Sequence, residues 1–273
     1  MRYEEFITRN TGIIKDQDCL KDATVSIAGC GAGGGEVAIT LARMGIGRLI
    51  LSDPEEFEPS NLNRQLATCP TIGRNKAEAV GAMVKEISPF CEVEVVPGGI
   101  DENNVERFMS GADIVLEEIE YREPKAIVLT HRTARKLKIP VLTGVPVAWS
   151  GLLFYFEPDG MTFEEYIGLS PETPIEEFDD YVYPLHAYCP ELPLYMGQEL
   201  LRDIFSRKVV APSVAPACKL AAGLLGAFVY FFLSGEKSII PIPHYYSTED
   251  MFLIEPRLNV HLTAGTGAGA LRG

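Results

Sequence analysis

A glycine-rich stretch that follows an apolar run constrains the fold of this chain more than any other feature. Five of the seven residues from 29 to 35 are glycines, and the preceding run, residues 25–28, is typical of a buried strand. A helix that ends near residue 44 and a second strand over 49–51 follow, and Asp53 comes where that strand ends. This order of strand, glycine turn, helix, strand and acid is typical of a Rossmann-type nucleotide-binding unit.

Each part of this unit has a chemical reason. Gly29 permits a tight turn, Gly31 lets the backbone approach a phosphate, and Gly34 permits close packing of helix against strand. The helix N-terminus offers free N–H groups and a positive dipole end to an anion. Asp53 can accept hydrogen bonds from ribose hydroxyls. The unit predicts a nucleotide site but leaves the nucleotide open, and a purely structural glycine turn is the alternative.

The pattern of elements along the rest of the chain predicts the fold class. Predicted strands over 24–28, 48–52, 92–96, 113–116 and 140–142 alternate with predicted helices over 34–44, 75–88, 101–109 and 123–136. Such alternation predicts an α/β protein with a Rossmann-like, doubly wound, mostly parallel sheet. After about residue 145 the alternation of strands and helices ends. The remaining residues are predicted to form a C-terminal elaboration, with strands over 152–156 and 251–255 and helices over 195–207 and 214–233.

Composition excludes several classes of protein. The 273-residue chain carries a formal charge of −14, which argues against nucleic-acid binding. Its six cysteines form no C-x-x-C pair, so no zinc ribbon is expected. The charged N-terminus is unlike a signal peptide, and a cytoplasmic location is the expectation. The longest apolar run, residues 220–233, is too short to span a membrane and predicts a buried helix.

A second group of polar residues narrows the choice of nucleotide. Asn61, Asn63 and Arg64 follow the second strand, and Lys76 opens the next helix. Two cations near a glycine turn suit a triphosphate better than a nicotinamide, because arginine can grip phosphate oxygens bidentately and lysine supplies a point charge. The strand over 113–116 leads into three acids in residues 117–120, which are candidates to hold Mg²⁺ beside the phosphates. A solvated acidic cluster is the other interpretation.

Residues 171–193 form a long stretch without periodicity. It contains six acids, four aromatics and five prolines, and no lysine or arginine. Loops of this length in compact domains are usually functional or disordered, and the aromatics favour a docked loop. It is a candidate for recognising a substrate, and its charge would favour a basic protein partner.

Together these motifs resemble the ThiF/MoeB/HesA family, bacterial relatives of the ubiquitin-activating enzymes. The resemblance covers about residues 1–157 and, more weakly, the helix near 217–233. The stretch Ser-Asn-Leu-Asn-Arg-Gln at this spacing is highly specific. The motifs that carry the resemblance are Arg9-Asn10, the turn at 29–34, Asp53, the stretch 60–65, Gly73-Arg74-Asn75-Lys76 and Glu120.

The resemblance implies an enzyme that uses ATP and Mg²⁺ to adenylate a carboxylate, often the C-terminal glycine of a ubiquitin-like or sulfur-carrier protein. Asp53 would hold the ribose, with Glu55 also in the nucleotide site. Arg64 and Lys76 would bind the phosphates, and Glu120 would help to hold Mg²⁺.

The resemblance also implies roles for residues outside this group. Asn61 and Asn63 would line the nucleotide loop. Arg9 would reach across a homodimer interface into the partner's ATP site. No membrane and no nucleic acid would take part. A single ThiF-type domain is expected over 1–262, with its core at 20–157, acceptor recognition and C-terminal helices at 158–262, and a flexible tail at 263–273.

The chain also departs from the family pattern. Relatives usually carry aspartate where Glu55, Glu117 and Glu120 stand, and often glycine where Ala32 stands. The zinc-binding cysteine pairs of many relatives are absent. The thioester-forming cysteine of some relatives has no clear counterpart, and Cys189 in the acidic loop is the best candidate by position.

Two other functions stay open at the level of sequence. The glutamates at aspartate positions are compatible with a catalytically weakened relative that binds a nucleotide or a partner protein. The glycine turn and Asp53 are also compatible with a nicotinamide- or flavin-dependent oxidoreductase, although Arg64 and Lys76 would then have no role.

Overall fold

The structure is a computed structural model that describes residues 1–184, 190 and 193–248. The predicted strand over 251–255, the tail at 263–273 and Cys189 lie outside the described residues.

Seven strands form one mostly parallel sheet in the order β3-β2-β1-β4-β5-β6-β7. Neighbouring strands among β1 to β5 pair in parallel, whereas β6 pairs antiparallel with β5 and β7 with β6. The predicted fold class, a Rossmann-like doubly wound sheet, is confirmed. The strands are β1 (Thr24–Ala28), β2 (Arg48–Ser52), β3 (Glu92–Val96), β4 (Ile114–Glu117), β5 (Val141–Val147), β6 (Ser150–Phe156) and β7 (Tyr246–Ser247).

Helices cover both faces of the sheet. On one face the apolar side chains of α3, α4 and α9 form a core with β1 and β2, and on the other α5, α6 and α7 pack against the opposite side chains. The helices of the described residues are α1 (Tyr3–Phe6), α2 (Asp18–Lys21), α3 (Ala32–Met44), α4 (Lys76–Ile87), α5 (Val105–Phe108), α6 (Pro124–Lys136), α7 (Phe163–Tyr166), α8 (Gln198–Phe205) and α9 (Ala215–Ser234).

The alternation of side chains along β4 decides which face each acid at its end reaches. Ile114 and Leu116 belong to the core on the α3 side, and Val115 belongs to the core on the α6 side. Glu117 therefore points to the α6 side and Glu118 to the α3 side, in line with the two-residue period of a strand.

Several element predictions need correction. Residues 1–22, whose charged sequence predicts a helix, form only α1, α2 and a 3₁₀ turn at Thr8–Asn10. The helix predicted over 101–109 shortens to α5, because Asp101 accepts from the N–H groups of Asn103 and Asn104 in a turn before it. The two-residue strand β7 was not predicted.

The apolar helix α9 fits the fold as a core element. By length and composition alone it is apolar enough to cross a membrane, a test that core helices of soluble proteins also pass. In the structure it packs against α3, β5 and β6, and its residues Ala221, Leu225 and Val229 are buried there.

Candidate active site

A cleft of about 540 Å³ opens at the carboxyl edge of the parallel strands. It lies where the strand order reverses between β1 and β4, the usual ligand position in an open α/β sheet. The glycine wall of this cleft is formed by residues 29, 31–33, 52–55, 64–65 and 76, and the far wall by residues 143–148, 193, 196, 201, 204 and 210–213. Residues 117–121, after β4, lie between the two walls.

The glycine turn is pressed against the chain that leaves β4. Gly29 has φ of +97°, and a Cβ there would lie 2.2 Å from the carbonyl oxygen of Glu118. A Cβ on Gly34 would lie 1.8 Å from the carbonyl oxygen of Gly29. The close approach expected at Gly34 is therefore present, and neither position accepts a larger residue without a backbone shift.

Asp53 fastens the turn to the end of β2. Its Oδ2 accepts from the backbone N–H of Cys30 at 2.7 Å, and its Oδ1 accepts from the N–H of Glu55 at 2.9 Å. The side chain is buried but lines the cleft, and burial raises the pKa of its carboxyl group. Asp53 thus has a structural role that the sequence did not reveal, in addition to its predicted position at the nucleotide.

Arg64 and Lys76 supply the positive charge among the described residues that line the cleft. The Nη1 atom of Arg64 donates to the carbonyl oxygen of Ser60 and to Oδ1 of Asn63, both at 3.0 Å. Lys76 is buried, and its Nζ lies 2.5 Å from Oε2 of Glu55. Both predicted phosphate ligands therefore reach one cleft, and Lys76 already has a carboxylate partner.

The two asparagines predicted for the nucleotide loop are not among the residues that line the cleft. Asn61 is buried, and its Oδ1 accepts from the N–H of Glu58 at 3.0 Å, which holds the 3₁₀ turn at Pro59–Asn61. Asn63 accepts from Arg64 and so helps to orient that guanidinium. In this structure both act on the loop that carries Arg64.

The acids after β4 occupy different environments. Glu117 is buried on the α6 side, where it accepts from the N–H of Ile119 and the hydroxyl of Thr143. Glu120 is exposed in the cleft, yet local desolvation and then the neighbouring Glu55 carboxylate raise its pKa. Arg122, Lys76 and Arg64 lower the pKa of Glu120. Glu55, Arg64 and Lys76 line the same cleft as Glu120.

Glu118 joins the two walls. Its Oε1 accepts from the N–H of Gly144 at 2.8 Å, and its Oε2 lies 1.9 Å from the position that a Cβ on Gly33 would take. The residue is partly exposed, but desolvation raises the pKa of its carboxyl group well above the usual range. The sequence grouped Glu118 with the other acids of residues 117–120 as a candidate to hold Mg²⁺, and it did not reveal the contact with Gly144, which is 26 residues away.

Acids outnumber cations in the cleft. Six carboxylates line it, at Asp53, Glu55, Glu117, Glu118, Glu120 and Glu123, against two cations among the described residues. A polyanionic ligand is therefore disfavoured unless a metal ion accompanies it or some of the carboxyl groups stay protonated. The raised pKa values of Asp53, Glu118 and Glu120 favour protonation of these carboxyl groups and so reduce the negative charge in the cleft.

Gln65 is a cleft residue that the sequence analysis quoted only as part of a motif. Its Nε2 would lie 3.8 Å from a Cβ on Gly31, and its Oε1 is buried without a hydrogen-bond partner. The sequence signal for Gln65 was its position directly after Arg64 in the family-specific stretch at residues 60–65.

The far wall is apolar. Val145, Val147, Leu201 and Ile204 line it, and a bridge between Ala148 and Ser213 connects the β5–β6 hairpin to the segment after α8. No residue that lines the far wall is charged, within the part of the chain that the structure describes.

The described part of the acidic loop runs along α6. Arg132 donates to the carbonyl oxygens of Pro171 and Thr173, and Phe178 is fully buried against α6. Further along, the hydroxyl of Tyr183 donates to the carbonyl oxygen of Pro124, where α6 begins. The loop is docked over residues 171–184, as its aromatics indicated.

A second cavity, of about 600 Å³, lies at the opposite edge of the sheet. It is lined by the end of α6 and by residues 156–164 and 171–174. Its cations are already engaged: Arg132 with Glu164, Lys138 with Asp159, and Arg135 with the carbonyl oxygen of Gly160. Three of the four Lys and Arg side chains among the described residues that line it therefore already face a carboxylate, Lys136 through its pair with Glu106.

The remaining candidate residues lie away from the cleft. Arg9 is exposed in the 3₁₀ turn and does not line the cleft of its own chain. Cys218 is buried near the start of α9, and burial raises the pKa of its thiol. No group of three or more His, Cys, Asp or Glu side chains among the described residues could hold a metal ion without other ligands.

Comparison with known proteins agrees with this architecture. The model of the ThiF family matches residues 7–262. The tRNA threonylcarbamoyladenosine dehydratase of Escherichia coli (strain K12) is 36% identical over 124 residues, which are 45% of this chain and 46% of that protein. The SAMP-activating enzyme E1 of Haloferax volcanii is 30% identical over 174 residues, 63% of each chain.

A solved structure shows the same fold. The crystal structure of E. coli MccB with MccA-N7isoASN has a TM-score of 0.67 at 20% sequence identity, over 90% of this chain and 69% of that one. The chain spans about half to two thirds of the length of the two curated relatives.

Proposed function

The chain belongs to the ThiF family, and we propose that it uses Mg²⁺ and ATP to adenylate a carboxylate, the C-terminal glycine of a ubiquitin-like or sulfur-carrier protein. The observation that carries the proposal is the convergence of the glycine turn, Arg64, Lys76 and Glu120 on one cleft. The cleft volume of about 540 Å³ is ample for a nucleotide, since ligand pockets are typically about 300–1,000 Å³.

The nucleotide would lie along the glycine wall. Its phosphates would meet the backbone N–H groups at the start of α3, with Arg64 and Lys76 as the cationic ligands. Asp53 still has free lone pairs on both carboxylate oxygens, which can accept from the ribose hydroxyls. Glu55 would lie beside the same phosphates.

The donor set fits Mg²⁺ only together with a nucleotide. Glu120 offers an exposed carboxylate beside the two phosphate-binding cations, but the described residues hold no complete metal site. Mg²⁺ commonly binds through one or two carboxylates plus substrate phosphates and water. When bound, it would neutralise phosphate charge and so offset the excess of acids in the cleft.

The reaction requires positioning more than proton transfer. An ionised acceptor carboxylate attacks the α-phosphorus, the bond from that phosphorus to the bridging oxygen breaks, and an acyl-adenylate and pyrophosphate result. No general base is needed because the nucleophile is already deprotonated. Arg64 and Lys76 would stabilise charge on the transferred group and on the leaving pyrophosphate.

The acceptor would approach from the far wall. Its uncharged surface suits an extended chain end, and the acidic loop along α6 would favour a basic protein partner. The dehydratase relative makes tRNA the alternative acceptor, but the charge of −14 opposes binding to a polyanion.

The proposal extends to a cytoplasmic homodimer. Arg9 is exposed and outside its own cleft, which supports a role in the cleft of a second copy. Asn10 holds the segment in place through Nδ2, which donates to Oε1 of Gln17 and to the carbonyl oxygen of Met44. The proposal treats residues 1–262 as one adenylyltransferase domain, with acceptor recognition in 158–262.

The test is ATP–pyrophosphate exchange with purified carrier proteins and with tRNA as separate acceptors. We expect exchange that depends on a carrier protein and falls at least about 100-fold in Arg64→Ala. Arg74→Ala is the matched control because Arg74 is exposed and does not line the cleft. It should stay within about twofold of the wild type, since the substitution removes no cleft contact.

A thermal-shift comparison separates the competing functions. We expect ATP with Mg²⁺ to raise the Tm and NAD to leave it unchanged. A shift with NAD alone would favour an oxidoreductase. Absence of both ATP binding and exchange with every acceptor would refute the proposal.

A catalytically weakened relative is the second candidate, favoured by the six acids that line the cleft. It predicts that ATP binds without exchange. Glu120→Asp, which restores the residue usual in relatives, should then produce exchange, whereas for an active enzyme the same change should alter only the rate.

A further inference from the structure

Lys76 occupies a position where a positive charge needs a partner. It is the first residue of α4, and its side chain is only 7% exposed. The N-terminus of a helix carries a partial positive charge, so a buried ammonium group there is unfavourable unless an anion lies beside it.

Glu55 supplies that anion from a fixed backbone. Its carbonyl oxygen accepts from the N–H of Lys76, and its own N–H donates to Oδ1 of Asp53, both at 2.9 Å. Its Oε2 lies 2.5 Å from Nζ of Lys76. Hydrogen bonds therefore fix the main chain of Glu55, and only its side chain takes part in the ion pair with Lys76.

The two partners differ in their exposure. The side chain of Glu55 is 66% exposed, against 7% for Lys76. The carboxylate can therefore rotate into solvent without moving the backbone, whereas the ammonium group cannot leave. Glu55 and Glu120 line the same cleft as Lys76, where ligand phosphates would lie.

We propose that Glu55 is the exchangeable counter-ion of Lys76. When the nucleotide binds, its polyphosphate replaces the Glu55 carboxylate as the partner of Lys76, and the carboxylate pairs with Lys76 again as pyrophosphate leaves. The inference rests on the proposed function for the identity of the ligand. A phosphate oxygen and the Glu55 carboxylate compete for the same ammonium group, so each bound polyphosphate displaces one internal ion pair.

This exchange gives Glu55 a place in the reaction sequence. Before binding, it holds the ammonium group of Lys76 in position through the ion pair. After transfer, its return to Lys76 weakens the hold on pyrophosphate and favours product release. Glu55 thus lowers the affinity for ligands that carry a polyphosphate and leaves the affinity for ligands without one unchanged.

The test measures binding of inorganic pyrophosphate, metal-free ATP and adenosine by calorimetry to the wild type, Glu55→Gln and Glu56→Gln. Glu56 is the matched control, since it is exposed and does not line the cleft. We expect pyrophosphate and ATP to bind about tenfold more tightly to Glu55→Gln. Adenosine, which displaces nothing from Lys76, should bind equally to all three proteins, and Glu56→Gln should match the wild type.

Glu55→Asp extends the test with a carboxylate that is one methylene shorter. It should fall between the wild type and Glu55→Gln, because the shorter side chain reaches Lys76 less well. Equal Tm values for the variants would show that folding is intact, and if Glu55→Gln alone is unstable, Glu55→Asp carries the comparison.

Pyrophosphate affinity that is unchanged or weaker in Glu55→Gln overturns the inference, even where ATP binds the wild type. Tighter pyrophosphate binding without any binding of adenosine or ATP supports the inference and refutes the proposed function. The two failures are therefore distinguishable.

Discussion

The two walls of the cleft are built in different ways. The glycine wall forms from residues close in sequence, with Asp53 bonded to Cys30 and Glu55, and its fit depends on backbone atoms that touch each other. The far wall is assembled over long distances, through the bridge from Ala148 to Ser213. The acidic loop, which precedes residues 193–213 in the chain, docks on α6 through similarly distant contacts. The first wall therefore has little tolerance for added volume, and the second depends on a few anchoring side chains.

The largest effect is expected from added volume in the glycine wall. A Cβ on Gly34 would lie 1.8 Å from a backbone carbonyl oxygen, whereas a Cβ on Gly223 in α9 would meet nothing within 4 Å. We expect Gly34→Ala to cost about 3 kcal/mol or more of stability, with loss of ATP binding. Gly223→Ala should stabilise by about 0.5–1 kcal/mol, because alanine loses less backbone entropy in a helix.

Denaturant unfolding of the two variants, followed by ATP titration, measures this contrast. Equal stabilities would mean that the turn can relax away from the chain after β4. The comparison of the walls would then lose its physical basis.

The fold and much of the glycine wall were predictable because their signals are local. The glycine spacing, the apolar runs and the acid at position 53 all lie within about 30 residues. The alternation of strands and helices was sufficient for the parallel sheet. The short helices of residues 1–22 were mistaken for longer ones because charged, weakly periodic segments do not reveal where a chain turns.

The connections between distant residues were not predictable. Glu118 meets Gly144, and Arg132 meets Thr173, only after the sheet has assembled. Asn61 was expected at the nucleotide because its motif suggested it, but its Oδ1 accepts from Glu58 three residues away. A motif places a residue in the right loop without determining which way its side chain turns.

The next effect in size concerns the acidic loop, which precedes residues 193–213 of the chain and docks on α6. Arg132 pairs with the buried Glu164 at 2.5 Å and also holds two carbonyl oxygens of the acidic loop. Arg132→Ala leaves that carboxylate without its partner and should cost about 2 kcal/mol, less than for a fully buried pair because Arg132 is 30% exposed.

Lys125→Ala is the matched control for Arg132→Ala. Lys125 joins the same loop to α6 through an exposed ion pair with Asp179 at 3.0 Å, and exposed pairs contribute little to stability. Acceptor-dependent exchange should fall in Arg132→Ala while ATP affinity stays within about twofold, since the glycine wall is untouched. A parallel loss of ATP affinity would show that the two walls are not independent.

The smallest effect tests the residue that joins the walls. The raised pKa of Glu118 means that the folded protein holds this proton more tightly than the unfolded chain does. Stability from this group is therefore greatest below the usual glutamate pKa of about 4.3 and declines as the pH rises towards the raised value. Glutamine does not ionise. The free energy of unfolding of Glu118→Gln should therefore rise relative to that of the wild type by about 1 kcal/mol between pH 5 and pH 7, allowing for the partial exposure of the residue.

Thermal unfolding of the wild type and Glu118→Gln across that range measures the gain, with Glu56→Gln as the control for an exposed acid outside the cleft. A constant difference with pH would mean that Glu118 ionises as freely as a surface glutamate. The Glu118 carboxylate, which lies between Gly33 and Gly144, would then place a negative charge beside the glycine turn. A nucleotide would need Mg²⁺ to offset that charge as well.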